Sequence, residues 1–114
     1  EDAQGEAPPI RRALAYIEAH YLDGLRIMDV AEHVSLSEKY FSRYFKQQTG
    51  QSFTEYINQL VINRAKSLLL HTDDPIYKIA MDLKFSDAAY FTKVFAKYAK
   101  TTPNKFRQQK GRGA

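Results

Sequence analysis

The chain repeats itself at a spacing near fifty residues, and that repeat narrows what it can fold into. Tyr40-Phe41 matches Tyr90-Phe91, Phe45 matches Phe95, and Tyr56 matches Phe106, each pair fifty apart. Upstream the offset is forty-nine: Ile27 matches Ile76, Ala31 matches Ala80, and Val34 matches Leu83. The change of offset puts one extra residue into the turn of the second copy. Each copy reads as a short helix, a turn of a few residues and a longer helix. The small residue in the first helix, Ala31 or Ala80, lets the two helices cross closely. That is the composition of a helix-turn-helix unit.

The helices around these units carry clear start and stop signals. Pro8-Pro9 opens a helix with Ile10, Ala13, Leu14, Ile17 and Tyr21 at helical spacing, and Asp23-Gly24 stops it. Ile27, Val30, Ala31 and Val34 face inward on a short helix over 27–34. Ser37 is placed to cap a helix over about 38–49, and Gly50 stands where a left-handed residue closes one. Ser52-Phe53-Thr54-Glu55 is a capping box ahead of a helix over about 53–71. Its broad stripe holds Phe53, Tyr56, Ile57, Leu60, Val61, Ala65 and Leu68. Asp74-Pro75 is expected to start the next helix, with Asp as the cap and Pro at the first helical position. That helix buries Ile76, Ile79, Ala80 and Leu83. Asp87 caps a helix over about 88–99 that turns Phe91, Val94, Phe95 and Tyr98 inward, and Thr102-Pro103 opens a last short one holding Phe106. No segment alternates with period two. The expected fold is all-α: seven helices forming two helix-turn-helix subdomains joined by a long linker helix.

A chain of 114 residues is one domain's worth. Within it, residues 1–9 read as an acidic linker or tail and 110–114 as a flexible tail. Residues 10–109 hold the paired units: the first at about 10–51, the linker helix, and the second at about 75–109. No apolar run approaches the roughly 20 residues that span a bilayer, so no membrane partner is expected. No secretory signal pattern opens the chain, which makes a cytoplasmic location the default. There is no Cys, which excludes disulfides, thiolate metal sites and cysteine nucleophiles. His20, His33 and His71 sit apart on different helices, so a metal site is not expected and surface or capping roles are. Asp73-Asp74 is better read as a turn and cap than as an acid/base pair. No phosphate loop, nucleophile elbow or catalytic triad spacing is present, so neither an enzyme nor a cofactor is expected.

The net charge of +4 is unevenly spread. Residues 84–114 carry eight basic groups against Asp87 alone, a local balance of +7, whereas residues 1–25 stand at −3. A basic C-terminal third suggests a polyanion partner. The repeat gives that charge a geometry, because the second helix of such a unit can enter the DNA major groove, leading with its N-terminal half. A linker of about 19 residues at ~1.5 Å rise spans roughly 28 Å, against ~34–36 Å for one DNA turn. Two recognition helices so joined are expected to reach successive major-groove segments.

The outward positions of the first recognition helix are Glu38, Lys39, Ser42, Arg43, Lys46 and Gln47. Arg43 is the strongest candidate for direct readout, since its fork matches guanine O6 and N7. Ser42 and Lys39 suit bases or phosphates. The second helix presents Ala88, Ala89, Thr92, Lys93 and Lys97. Ala88, Ala89 and the Thr92 methyl suit thymine methyl groups, and Lys93 suits guanine or phosphate. Tyr40 and Tyr90 precede core Phe residues, and they either touch the sugar-phosphate backbone or pack. Arg43 and Lys93 fall at the same place in their repeats, and each follows an outward hydroxyl (Ser42, Thr92). The two surfaces differ, so an asymmetric rather than palindromic site is expected.

The stretch from Phe85 through Tyr90-Phe91, Phe95, Thr102-Pro103 and Phe106-Arg107 resembles the signature of AraC/XylS-type transcription regulators. The first copy, from Val30-Ala31 to Tyr56, resembles that family's first helix-turn-helix. The resemblance covers about residues 10–109. It implies a seven-helix DNA-binding domain, usually the C-terminal part of a longer regulator and most often an activator. Carried over position by position, base reading falls to Lys39, Ser42, Arg43, Ala88, Ala89, Thr92 and Lys93. Phosphate contacts fall to Ser37, Tyr40, Lys46, Gln47, Tyr90, Lys97 and Lys100, with backbone amides at helix starts. The implied partners are double-stranded DNA, RNA polymerase, and an effector or dimerisation domain upstream of this chain.

Three positions depart from the family pattern. Lys84 replaces the Gly before Phe85, Ala96 replaces a basic residue after Phe95, and Lys100 replaces the Gly that Gly50 supplies in the first copy. A left-handed conformation at Lys84 or Lys100 costs roughly 1–2 kcal/mol each. The second unit is then expected to be less rigid, with weaker or more relaxed reading. The alternative to DNA reading is a helical protein-interaction module with a basic docking surface. Matched basic and hydroxyl positions in both copies argue against it, since a scaffold has no need of them. Structured RNA is weaker still, because a recognition helix does not fit the narrow A-form major groove.

Overall fold

The computed structural model describes residues 7–112. Seven helices follow one another: α1 (Pro9–His20), α2 (Ile27–His33), α3 (Glu38–Thr49), α4 (Phe53–His71), α5 (Ile76–Asp82), α6 (Ala88–Ala99) and α7 (Pro103–Arg112). Among the described residues there is no strand. Contacts gather into two compact units, one through Ile57 and one from Asn58, with the boundary inside α4. Most of the acidic segment expected at 1–9 lies outside the described residues, and Pro9 is already helical. The tail expected at 110–114 is helical through Arg112, and Gly113 and Ala114 lie outside the described residues.

The first unit closes around Phe41 and Phe45, both fully buried with Ala13, Ile17 and Val30. The Phe45 ring meets Tyr56 edge-on at 5.4 Å and Phe53 at 6.0 Å, so the start of α4 completes this core. Ile10 N donates to the Tyr44 hydroxyl at 3.0 Å, fixing the start of α1 on α3. His20 and His33 do come together: Tyr16 lies between them, at 4.5 and 4.2 Å between ring centroids. One ring tilted and one stacked against Tyr16 make a packing cluster. Among the described residues, no three or more His, Cys, Asp or Glu side chains gather as a metal site.

The second unit repeats this plan. Phe91 and Phe95 are fully buried with Ile79, and Phe95 meets Phe106 edge-on at 5.7 Å, as Phe45 meets Tyr56. Ser52 and Thr102 are matched caps: their hydroxyls accept from Glu55 N and Lys105 N, both at 3.2 Å, and Glu55 Oε1 accepts from Ser52 N at 2.9 Å. Arg107 fastens α7 to the end of α4. Its Nε donates to the Leu69 carbonyl at 3.0 Å and its Nη2 to the Thr72 carbonyl at 3.1 Å. Those carbonyls belong to the helix end that has no intrahelical donors left, and a cation there also suits the helix dipole.

The turns inside both units are built alike. Leu36 N donates to Ala31 O at 2.9 Å and Ser35 N to Glu32 O at 3.0 Å; Phe85 N donates to Ala80 O and Lys84 N to Met81 O, both at 3.0 Å. This doubled bond pattern requires a left-handed residue. Ser35 (φ 61°) and Lys84 (φ 70°) supply it. The ends of α3 and α6 match too, at Gly50 (φ 79°) and Lys100 (φ 65°). Both lysines that depart from the family pattern therefore hold the conformation that a glycine adopts without strain.

Two expectations change. Pro75 occupies the cap of α5 and not its first turn, and no side chain caps that helix. Pro75 has an extended ψ of 158°, so the helix begins at Ile76 and Asp74 falls one residue ahead of the cap, its carboxylate 3.8 Å from Lys78 Nζ. In α4 the buried residues are Val61, Ile62, Ala65 and Leu69, while Leu68 is only half-buried. Both α6 and α7 reach this part of α4, through Asn58 to Tyr98 and through Lys66 over the Phe106 ring. A helix covered on more than one side shows no single apolar stripe, so periodicity missed Ile62 and Leu69.

Candidate nucleic-acid interface

The second helix of each unit is anchored by its N-cap. Ser37 Oγ accepts from Tyr40 N at 3.2 Å, and Asp87 Oδ1 accepts from Tyr90 N at 2.7 Å. With Phe41 and Phe45 buried, helical geometry sends Lys39, Ser42, Arg43 and Lys46 to the opposite side of α3. All four are exposed, as are Glu38 and Gln47. On α6, burial of Phe91 and Phe95 leaves Ala89, Lys93 and Lys97 exposed, with Ala88 and Thr92 half-buried. Lys100 is exposed at the end of α6.

Tyr40 and Tyr90, expected either to touch the sugar-phosphate backbone or to pack, each pack against a neighbouring ring. They are 52% and 54% exposed. Tyr40 stacks on Tyr44 with centroids 6.1 Å apart, and Tyr90 tilts against Phe85 at 5.8 Å. A ring held on one side leaves its hydroxyl free to meet solvent or a ligand.

The cations on these faces stand alone. Among the described residues, none of Lys39, Arg43, Lys46, Lys93, Lys97 or Lys100 has a carboxylate within ion-pair reach. The carboxylates that pair do so elsewhere, as in Arg26 with Asp29 at 3.8 Å and Lys78 with Asp82 at 3.0 Å. Unpaired surface cations on a helix face make a field that attracts anions.

Two clefts flank the faces. In the first unit, Ser42 opens onto a cleft of about 370 Å³ with Arg26 and the start of α4, Ser52 to Thr54. In the second, Tyr90, Lys93 and Lys97 line a cleft of about 280 Å³ with Asn58 and Tyr98. Arg26, Asn58 and Tyr98 were not among the sequence candidates. The polar Asn58 within an apolar stripe was the one available signal.

The family model described as a helix-turn-helix domain matches residues 30–109. This chain belongs to the AraC/XylS-type family of helix-turn-helix DNA-binding domains. The regulatory protein PocR of Salmonella typhimurium is 45% identical over 100 residues, covering 88% of this chain and 33% of PocR. The transcriptional activator RhaS of Escherichia coli is 33% identical over 108 residues, covering 95% of this chain and 39% of RhaS. The chain thus spans a third or a little more of these two relatives. A solved AraC-type DNA-binding transcriptional regulator from Chromobacterium violaceum superposes with a TM-score of 0.82 at 30% identity, covering 90% of this chain and 91% of that one. The relatives are named as regulators and not as enzymes. Among the described residues of this AraC-type domain, no helix is long and apolar enough to cross a membrane.

Proposed function

We propose that this AraC-type domain reads a specific, asymmetric duplex through α3 and α6, which enter successive major-groove segments. The observation that carries this reading is the matched pair of surface positions, exposed Ser42-Arg43 on α3 and half-buried Thr92 with exposed Lys93 on α6. Lys39, Ser42 and Arg43 read bases for the first unit, and Ala88, Ala89, Thr92 and Lys93 for the second. Ser37, Tyr40, Lys46, Gln47, Tyr90, Lys97 and Lys100 hold phosphates and set the register. The domain acts in an activator within the cytoplasm, linked in the longer protein to an effector or dimerisation domain and acting on RNA polymerase. The activator role is supported by the name of RhaS, one of its relatives.

Fluorescence anisotropy with a duplex selected from a random pool, against scrambled sequence and over a salt series, tests the reading. The selected duplex is expected to bind more tightly, and affinity to fall steeply with salt. Arg43→Ala is expected to cost about 1–3 kcal/mol, mainly on the selected site. Equal binding of both duplexes, shifted alike by Arg43→Ala, would reduce the basic faces to an electrostatic anchor and sink the proposal.

A further inference from the structure

The cleft of the second unit has chemistry beyond a bare helix surface. Its walls come from two helices, Asn58 from α4 and Tyr90, Lys93, Lys97 and Tyr98 from α6. Two of its residues are lysines, and among the described residues neither has a carboxylate partner. The Lys97 ammonium lies over the Tyr98 ring, 5.6 Å from its centroid, which biases where that charge sits. The Tyr98 hydroxyl accepts from Asn58 Nδ2 at 3.2 Å. With its oxygen engaged as an acceptor, the phenol keeps one proton to donate, and among the described residues no protein group takes it.

We infer that this cleft seats a single phosphodiester group of the DNA backbone, with Lys97 and the Tyr98 hydroxyl as its direct ligands. The inference rests on the DNA reading proposed above. Lys97 supplies the charge and Tyr98 the directional donor, and Asn58 orients Tyr98 without touching the phosphate. Lys93 adds its charge to the wall of the cleft while serving the base edges. A volume of about 280 Å³ takes the phosphate and its two ester oxygens, and the open mouth lets the strand run past. The site recognises charge and shape, so it fixes the position of α6 and carries no sequence information.

The test is a methylphosphonate scan, in which each phosphate of the selected duplex is neutralised singly and its binding measured by anisotropy. In the wild-type domain, one position near the α6 segment is expected to cost about tenfold, the worth of a hydrogen bond to a charged group. Tyr98→Phe keeps the ring and its packing, and Lys97→Gln alters an exposed side chain, so both are expected to fold, as thermal unfolding will report. Each is expected to weaken the unmodified duplex by about tenfold and to reduce the penalty at that same position, the other ligand keeping the rest. Asn58→Ala is expected to give a smaller loss at the same position. An unchanged scan in both variants, with specific DNA binding intact, overturns the cleft site alone. Failure of the wild type to bind any duplex overturns the DNA reading and the cleft with it. Inorganic phosphate that shifts the Tyr98 and Lys97 resonances of the free domain, with no position in the scan affected, marks an anion site unrelated to the duplex and also overturns the inference.

Discussion

Lys100→Gly should stabilise the second unit, although it removes a side chain and a charge. Lys100 ends α6 at φ 65° and ψ 20°, and its N–H closes the helix on the Ala96 carbonyl at 2.9 Å. A β-carbon in this conformation costs about 1–2 kcal/mol, which glycine does not incur. Glycine returns about 0.5–1 kcal/mol of that through the greater entropy of its unfolded chain. The lysine charge near the helix C-terminus is worth a further few tenths of a kcal/mol, also lost. Lys100→Ala separates these terms, since alanine loses the charge but keeps the β-carbon. Lys100→Gly is expected to exceed Lys100→Ala by about 1 kcal/mol, and wild type by about 0.5 kcal/mol. The mirror change, Gly50→Lys, should cost the first unit about 0.5 kcal/mol. A β-carbon at Gly50 meets no atom within 4 Å, so that loss reports backbone strain and not a clash. Urea unfolding followed by circular dichroism measures all three. A glycine variant no more stable than the alanine variant, with Gly50→Lys neutral, would refute the argument that these helix ends carry strain.

Arg107→Met should cost about 2–3 kcal/mol in urea unfolding, because the Leu69 and Thr72 carbonyls lose a charged donor each. Lysine at this position should recover little, since a single ammonium does not reproduce the two-pronged fork; a loss below about 0.5 kcal/mol for Arg107→Met would count against the fastening role. Burial, and secondly the Glu18 carboxylate, raise the Tyr56 phenol above its ordinary 10.0. The unfolded phenol therefore ionises first, and stability that is complete below pH 10 is lost as pH rises towards the folded value. Tyr56→Phe should flatten that alkaline slope, and an unaltered slope would show that Tyr56 does not contribute to it.

The helix ends were readable because their chemistry is local. Ser37, the Ser52-to-Glu55 box, Asp87 and Thr102 each satisfy amides within three residues of themselves, and all four cap as their sequence positions predict. The exposed faces of α3 and α6 were readable for a related reason. Once the Phe residues at i and i+4 face the core, the residue at i+2, Arg43 or Lys93, faces away from it. Asp74 was harder, because Pro75 takes the cap position and leaves Asp74 one residue ahead of it. Sequence alone does not say that its carboxylate turns to Lys78 rather than to the start of α5.

What the sequence determined by itself, then, was the repeated helix-turn-helix plan and the residues its second helices present. Both follow from short-range capping and the 3.6-residue period. Tertiary structure decided what joins residues far apart in the chain. It placed Ile62 and Leu69 in the core and His20 and His33 on either side of Tyr16. It brought Arg107 to the end of α4, and Asn58 to Tyr98 beside two lysines. It also decided that Lys84 and Lys100 are left-handed, the conformation in which their helices close on Ala80, Met81 and Ala96. Each of these depends on partners roughly a dozen to forty residues away or on a conformation that a side chain would not choose alone, and neither leaves a periodic trace.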